Sequence, residues 1–207
     1  MNGFSELLIA TRNEGKLIEV REMLSELPLR FLSLQDFPGT ITVDETTTSF
    51  AENASLKAGG YALQTGAFTL ADDSGLEVDA LGGEPGVRSA RYAGEAASDF
   101  DRVQRLLSNL AGFERTARIA RFVAAIAIAD PQGTILNISI GSCEGTITET
   151  PRGKNGFGYD PIFIPDGYEQ TFAELGSDVK NKISHRAHAL EQTGNYLRSL
   201  TREMAAG

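Results

Sequence analysis

Two hydrophobic periods alternate along the chain. Residues 6–10 (ELLIA) form a short unbroken apolar run that stops at the polar segment 11–16 (TRNEGK), which predicts a buried strand running into a loop. Leu17, Val20, Leu24 and Leu27 then recur at the spacing of one helical face until Pro28 stops them, and Phe31 to Leu34 is a short strand candidate. Strand, loop, helix and strand within about 30 residues read as a β-α-β unit and favour a parallel sheet at this end.

Further on, 41–48 is threonine-rich and reads as extended. Ser49 followed by Glu52 fits a capping box opening a helix to about Gln64. Residues 68–71 predict a second buried strand, broken off by Asp72-Asp73-Ser74-Gly75, and the glycine-rich stretch 82–94 predicts a structured loop. Ser98 with Asp101 repeats the capping pattern before a helix through Val103, Leu106, Leu107 and Leu110. Residues 121–129 and 133–140 are β-rich runs around Asp130-Pro131-Gln132, a hairpin whose imperfect alternation points to strands buried on both faces. A strand at 145–148, a glycine-rich loop at 151–161 (PRGKNGFGYDP) and a strand at 162–164 follow. The last helix spans 184–204 with Leu190, Leu197, Leu200 and Met204 on one side, and Gly194 weakens it by about 1 kcal/mol relative to Ala. No internal repeat is present. The expected architecture is α/β: a two-lobed fold around a long central mixed twisted sheet, with flanking helices and a cleft between the lobes.

Composition narrows the function classes. At 207 residues the chain is one ordinary domain or two small lobes. A 41% hydrophobic share is enough to bury a core. Acidic residues number 28 against 19 basic, a net charge of −9, and no Lys/Arg run exceeds two residues. Binding a nucleic acid polymer draws on a dense basic surface, so such a partner is not expected, whereas a small anion needs only a few placed cations. Cys143 is the only cysteine, which excludes an intramolecular disulfide and a four-cysteine zinc site, and His185 and His188 are the only histidines. The N-terminus lacks a basic region followed by an apolar stretch, and no apolar run approaches the ~20 residues of a membrane span. The expectation is a soluble cytoplasmic protein with no membrane partner.

Four constellations could carry chemistry. Thr11-Arg12-Asn13-Glu14-Gly15-Lys16 feeds a strand into a helix start, where free amides and the helix dipole favour an anion; the alternative is a capped helix with solvated Arg12 and Lys16. Asp72 and Asp73 follow an apolar strand at the sheet edge where α/β folds bind ligands. Their repulsion is relieved by a proton or a divalent cation such as magnesium, and Asp44-Glu45 could add a third carboxylate; the alternative is an Asx-type turn. In 153–161, glycines flank Phe157 so that its ring could stack on a flat ligand, or Phe157 and Tyr159 plug a minor core. Lys180, Lys182, His185 and Arg186 gather cations around a helix start, either facing an electron-rich ligand or balancing an acidic protein.

In order along the chain, ATRNEGK, SFAENASLKA, ADDSGLEVDALGGEPGVRSARYAG, GFGYDPIF, FAEL and KISHRAHAL resemble the inosine triphosphate pyrophosphatase family, the RdgB-like dITP/XTP pyrophosphatases. The resemblance covers residues 9–190 and implies one ITPase-like domain over 1–207, usually a homodimer. It implies Mg2+-dependent hydrolysis of non-standard purine nucleoside triphosphates (ITP, dITP, XTP) to the monophosphate and pyrophosphate. By position it assigns Thr11, Arg12, Asn13, Glu14, Gly15, Lys16 and Lys57 to the phosphates, Asp73 to catalysis, Glu45 and Asp73 to the metal, and Ser74 to the substrate. Phe157 would stack on the base, Gly158, Tyr159 and Asp160 would shape its pocket, and Lys180, His185 and Arg186 would read the purine's oxygenated edge. Arg12 departs from the glycine of many relatives. Competing readings are a Maf-like pyrophosphatase for modified pyrimidine nucleotides and a nucleotide-binding sensor without turnover.

Overall fold

The computed structural model describes residues 4–206. Six strands form one mixed sheet in the order β2-β1-β3-β4-β5-β6. Strand β1 (Glu6–Ile9) pairs in parallel with β2 (Arg30–Ser33) and with β3 (Thr69–Val78), while β6 (Phe163–Pro165) lies antiparallel to β5 (Ile135–Ile147). Helix α1 (Glu14–Met23) connects β1 to β2, so the parallel β-α-β unit is present as expected. Strand β4 (Ile119–Ala129) turns into β5 through 130–134, where the Asp130 carboxylate accepts from the amides of Gln132 and Thr134.

The chain divides into two compact units. The first comprises the chain up to Asp73, Ala124–Gly141 and Arg186 onward; the second comprises Ser74–Val123 and Ser142–His185. In the first unit, strand alternation sorts two cores. Leu7, Ile9, Leu70, Ile126 and Ile128 pack with Val20 of α1, with Leu24 just after it, and with Leu190 and Leu197 of α5 (His185–Ala206). The residues one step along, Leu8, Ala10, Ala71, Ala125 and Ala127, pack with Ala54, Ala58, Tyr61 and Ala62 of α2 (Phe50–Thr65). One sheet segment therefore buries both faces, and small alanines let α2 lie close to it. In the second unit, Leu76, Val78, Phe122, Cys143, Ile147 and Phe163 meet Val103 and Leu106 of α3 (Asp99–Asn109) and Leu110 just after it.

Several expectations change. Strand β3 does not break at Asp72 but runs on to Val78, because both aspartates find buried cations and so can stay inside the sheet. The run at 145–148 is the far end of β5 rather than a separate strand, and β5 alternates from Ser139 on, leaving Ile138 and Ile140 exposed. Of the two hairpin strands, β4 is the one buried on both faces, over 124–129. Helix α1 stops at Met23, although Leu24 and Leu27 still reach the core. The C-terminal helix is preceded by a separate α4 (Ser177–Ile183), with extended Ser184 between them. At Ser98 both halves of the capping box form, whereas for Ser49 the hydroxyl accepts from the Glu52 amide at 3.4 Å.

Candidate active site

Strand alternation sends two adjacent carboxylates to different partners. Asp72 continues the Leu70 side of β3, toward α1 and α5. There its Oδ1 meets Lys16 Nζ and its Oδ2 accepts from Arg186 Nε at 2.9 Å. Arg186 is 1% exposed, and its Nη1 donates to Glu19 Oε2 at 2.5 Å. Lys16 and Glu19 stand three residues apart on one face of α1, while Arg186 comes from the first turn of α5. Two cations thus face two carboxylates, a balanced set, which is what lets these charges be buried. Burial alone raises the Asp72 pKa, yet the charges of Arg186 and Lys16 outweigh it and hold the carboxyl well below the usual range.

Asp73 continues the Ala71 side, toward α2. Lys57 Nζ donates to Asp73 Oδ1 at 3.0 Å, to Glu45 Oε1 at 2.6 Å and to the Asp72 carbonyl at 2.7 Å. Burial works to neutralise Lys57, but Asp73 and Glu45 more than offset it and its pKa is raised. For Asp73, burial pushes the pKa up and the Glu45 charge adds to this, with Lys57 opposing. One ammonium against two carboxylates leaves this cluster one negative charge in excess. Asp73 Oδ2 is buried and accepts no hydrogen bond from the described residues. Excess negative charge and an open carboxylate oxygen fit a divalent cation. Among the described residues no group of three or more His, Cys, Asp or Glu side chains is placed to hold a metal. Glu45 and Asp73 would therefore share the ion with water and substrate oxygens, the way Mg2+ is commonly held.

At the start of α1, Asn13 is the N-cap and its Oδ1 accepts from the Lys16 amide at 3.0 Å, while Thr11 Oγ1 accepts from the Asn13 amide. Arg12, Asn13 and Glu14 are exposed and Gly15 half-buried. Thr11, Arg12, Asn13 and Glu14 border a pocket of about 400 Å3 that Phe37 and Pro38 also line.

In the second unit the 153–160 loop is bolted down from within. Asp160, 2% exposed, accepts from the Phe157 amide at 2.9 Å and from Lys180 Nζ at 2.5 Å. Gly156 has φ +76°, and a Cβ there would lie 2.0 Å from Asp160 Oδ2, so only glycine lets the carboxylate come this close. The Tyr159 hydroxyl donates to the Ser89 carbonyl at 3.0 Å, and its ring lies in the core. Phe157 is left half-buried, with Lys180 Nζ 4.6 Å from its ring centroid. His185 is buried and stacked on Phe122 at 4.7 Å.

The Ham1 family profile matches residues 7–196. The chain belongs to the Ham1 family. It is 50% identical to the dITP/XTP pyrophosphatase of Bacillus licheniformis, over 90% of this chain and 95% of that one. A HAM1 protein from Coxiella burnetii has a similar structure, with a TM-score of 0.85, 43% identity and coverage of 94% of this chain and 99% of that one. The structure of a nucleoside-triphosphatase / dITP/XTP pyrophosphatase from Mycobacterium abscessus gives a TM-score of 0.74 at 42% identity, covering 91% and 98%. The family resemblance drawn from the sequence is borne out, as is the mixed α/β sheet.

Within this family member the structure gathers Lys16, Asp72 and Arg186 into one cluster, and Glu45, Lys57 and Asp73 into another. The two aspartates do not pair on one cation, since the strand pleat separates their side chains. Arg186, expected at the purine edge, is enclosed by Asp72 and Glu19, and half-buried Ser74 lies just beyond Asp73 on β3. Tyr159 and Asp160 face inward as supports of the loop. Sequence reasoning did not single out Glu19; the available signal was its place three residues after Lys16, at the edge of the apolar stripe of α1.

Proposed function

We propose that this chain hydrolyses non-standard purine nucleoside triphosphates (ITP, dITP, XTP) to the monophosphate and pyrophosphate, with Mg2+ as its cofactor. The observation that carries this reading is the Glu45–Lys57–Asp73 cluster, with its excess negative charge and the open Oδ2 of Asp73. Near-full-length similarity to a relative named dITP/XTP pyrophosphatase supports the substrate class.

Glu45 and Asp73 would hold the metal ion, which would supply neutralisation of charge on the triphosphate. Thr11, Arg12, Asn13, Glu14, Gly15 and Lys16 surround the phosphates together with Lys57. Asp73 takes the proton of a water whose oxygen bonds to the α-phosphorus, while the α–β bridging oxygen leaves with pyrophosphate. Lys16 and Lys57 stabilise the charge on that leaving group, the electrostatic contribution expected to dominate phosphoryl chemistry. Ser74 contacts the substrate beside Asp73. Phe157 stacks on the base, supported by Gly158, Tyr159 and Asp160. Lys180 and His185 are the donors assigned to the 6-oxo edge, while Arg186, enclosed by Asp72 and Glu19, anchors the start of α5 beside them. Adenine's amino group would leave such donors facing a donor, a costly mismatch.

The whole chain acts as one domain in this reading, in the cytoplasm and as a homodimer. An apolar groove bordered by Leu56, Leu63, Ile135 and Ile138 supports a second copy as partner, because a docking surface with so few charges avoids repulsion between two chains of net charge −9. Pyrophosphate release from ITP, dITP, XTP, ATP, GTP and dUTP, with Mg2+ and with EDTA, tests the activity. The expected result is Mg2+-dependent turnover of ITP, dITP and XTP far above the rest. Equal turnover of ATP and GTP, or release of orthophosphate alone, overturns it.

A further inference from the structure

The amides of the two peptide units that flank Phe157 are each held by a carboxylate, from opposite directions in the sequence. The Phe157 amide is held by Asp160, inside the loop. The next amide, that of Gly158, donates to Asp99 Oδ2 at 2.7 Å, 59 residues away at the first position of α3. The Asp99 carboxylate is divided between two jobs. Its Oδ1 pairs with Arg102 one turn along the helix, and Arg102 Nη2 is itself anchored on the Ala97 carbonyl at 2.6 Å. That pairing fixes the plane of the carboxylate and leaves Oδ2 aimed at the loop. Gly158 has φ +61°, and its amide hydrogen bond to Asp99 links it to the start of α3.

A helix-start aspartate has an ordinary use: its negative charge favours the N-terminal end of the helix dipole. Asp101, the third helical residue, completes the capping box with Ser98, so the cap of α3 is already complete without Asp99. The hydrogen bond to Gly158 is a separate interaction directed at the loop that carries Phe157.

We propose that Asp99 is a positioning residue for the Phe157 platform, fixing the amide that follows Phe157 as Asp160 fixes the Phe157 amide itself, so that the ring is held ready for a purine. The inference rests on the reading of Phe157 as the base-stacking residue. Its effect falls on substrate binding, because the groups assigned to the chemistry belong to β3, α1 and α2. Losing one charge-assisted hydrogen bond and the order it imposes raises KM for ITP by roughly 10-fold.

Steady-state kinetics on Asp99→Ala, Asp99→Asn, Phe157→Ala and the Asp99→Ala/Phe157→Ala double variant test this, with melting temperature followed in parallel. Asp99→Ala raises KM for ITP with kcat within about two-fold of the parent, since the truncation touches ordering of the platform and not the reacting groups. Asp99→Asn keeps an acceptor oxygen but loses the charge, so it restores KM toward the parent value. A residue serving only the helix dipole would instead show equal melting losses in both variants and no change of KM. The double variant has the KM of Phe157→Ala alone, because Asp99 acts through the ring. If Phe157→Ala raises KM and Asp99→Ala does not, the positioning role is refuted while base stacking stands. If Phe157→Ala leaves KM unchanged, the stacking reading itself fails and this inference with it.

Discussion

Asp72 and Asp73 are neighbours in the chain, yet their carboxylates lie on opposite sides of β3: Asp72 is locked to Lys16 and Arg186, and Asp73 to Lys57. The first set has two positive and two negative charges; the second has one positive and two negative. The two residues should therefore fail in different ways. Asp72→Ala removes the carboxylate that Lys16 and Arg186 share, and an uncompensated buried charge costs about 3–5 kcal/mol. At this chain length that lowers the melting temperature by roughly 10 °C. Asp73→Ala brings its own cluster to neutrality, so the melting temperature changes little, while turnover of ITP falls by at least about 100-fold. Thermal scans and pyrophosphate release on the two purified variants decide the matter, and equal melting losses would contradict the division of labour.

Lys57 sits where the two proposed metal-holding carboxylates meet, 2.6 Å from Glu45 Oε1 and 3.0 Å from Asp73 Oδ1. Lys57→Met removes the ammonium and leaves two negative charges to repel each other. In EDTA this variant should melt below the parent protein. Millimolar Mg2+ should then raise its melting temperature by more than it raises the parent's, since the cation replaces the lost positive charge. Turnover should fall as well, because the departing pyrophosphate loses a stabilising lysine. An identical response to Mg2+ in both proteins would place the ion elsewhere.

Local signals made much of this architecture readable. The Leu17/Val20/Leu24 stripe, the Ser98–Asp101 cap and the Asp130 turn depend on residues a few positions apart, and each forms as expected. What stayed hidden depends on distant partners. Asp72-Asp73-Ser74 looks like a strand breaker because its compensation comes from Arg186, 114 residues away, and from Lys16 and Lys57. The candidate site residues stand out by type in the sequence, but the side each aspartate faces required the strand pleat. Glu19 and Asp99 carried no motif at all. The bond that draws attention to each reaches a group far along the chain, Arg186 and Gly158 respectively.

Leu63 is 67% exposed beside exposed Leu56 and Ile138. If a second copy covers this groove, charge placed there should separate the two. Leu63→Asp or Ile138→Asp should convert a dimer into a monomer in sedimentation equilibrium at micromolar concentration, without loss of secondary structure. A parent chain that sediments as a monomer, or Asp variants that remain dimeric, would remove this surface from the assembly.

Cys143 lies on β5 among Phe122, Ile147 and Phe163, and burial, reinforced by the charges of Asp166 and Glu144, pushes its thiol up to about 12 from 9.0. The thiolate is the reactive form, and at pH 8 a group with that pKa is ionised in only about one molecule in ten thousand. Labelling by a thiol reagent such as DTNB should be very slow on the native protein and fast after guanidinium unfolding. The same shift has a consequence for stability. The folded state prefers the protonated thiol, so this contribution is fully present below pH 9 and is lost as pH rises from 9 toward 12. Cys143→Ala should flatten the decline of unfolding free energy across that alkaline window relative to the parent. Rapid native labelling at pH 8, or an unchanged alkaline decline in the alanine variant, would show that the thiol is not held in its neutral form by the core.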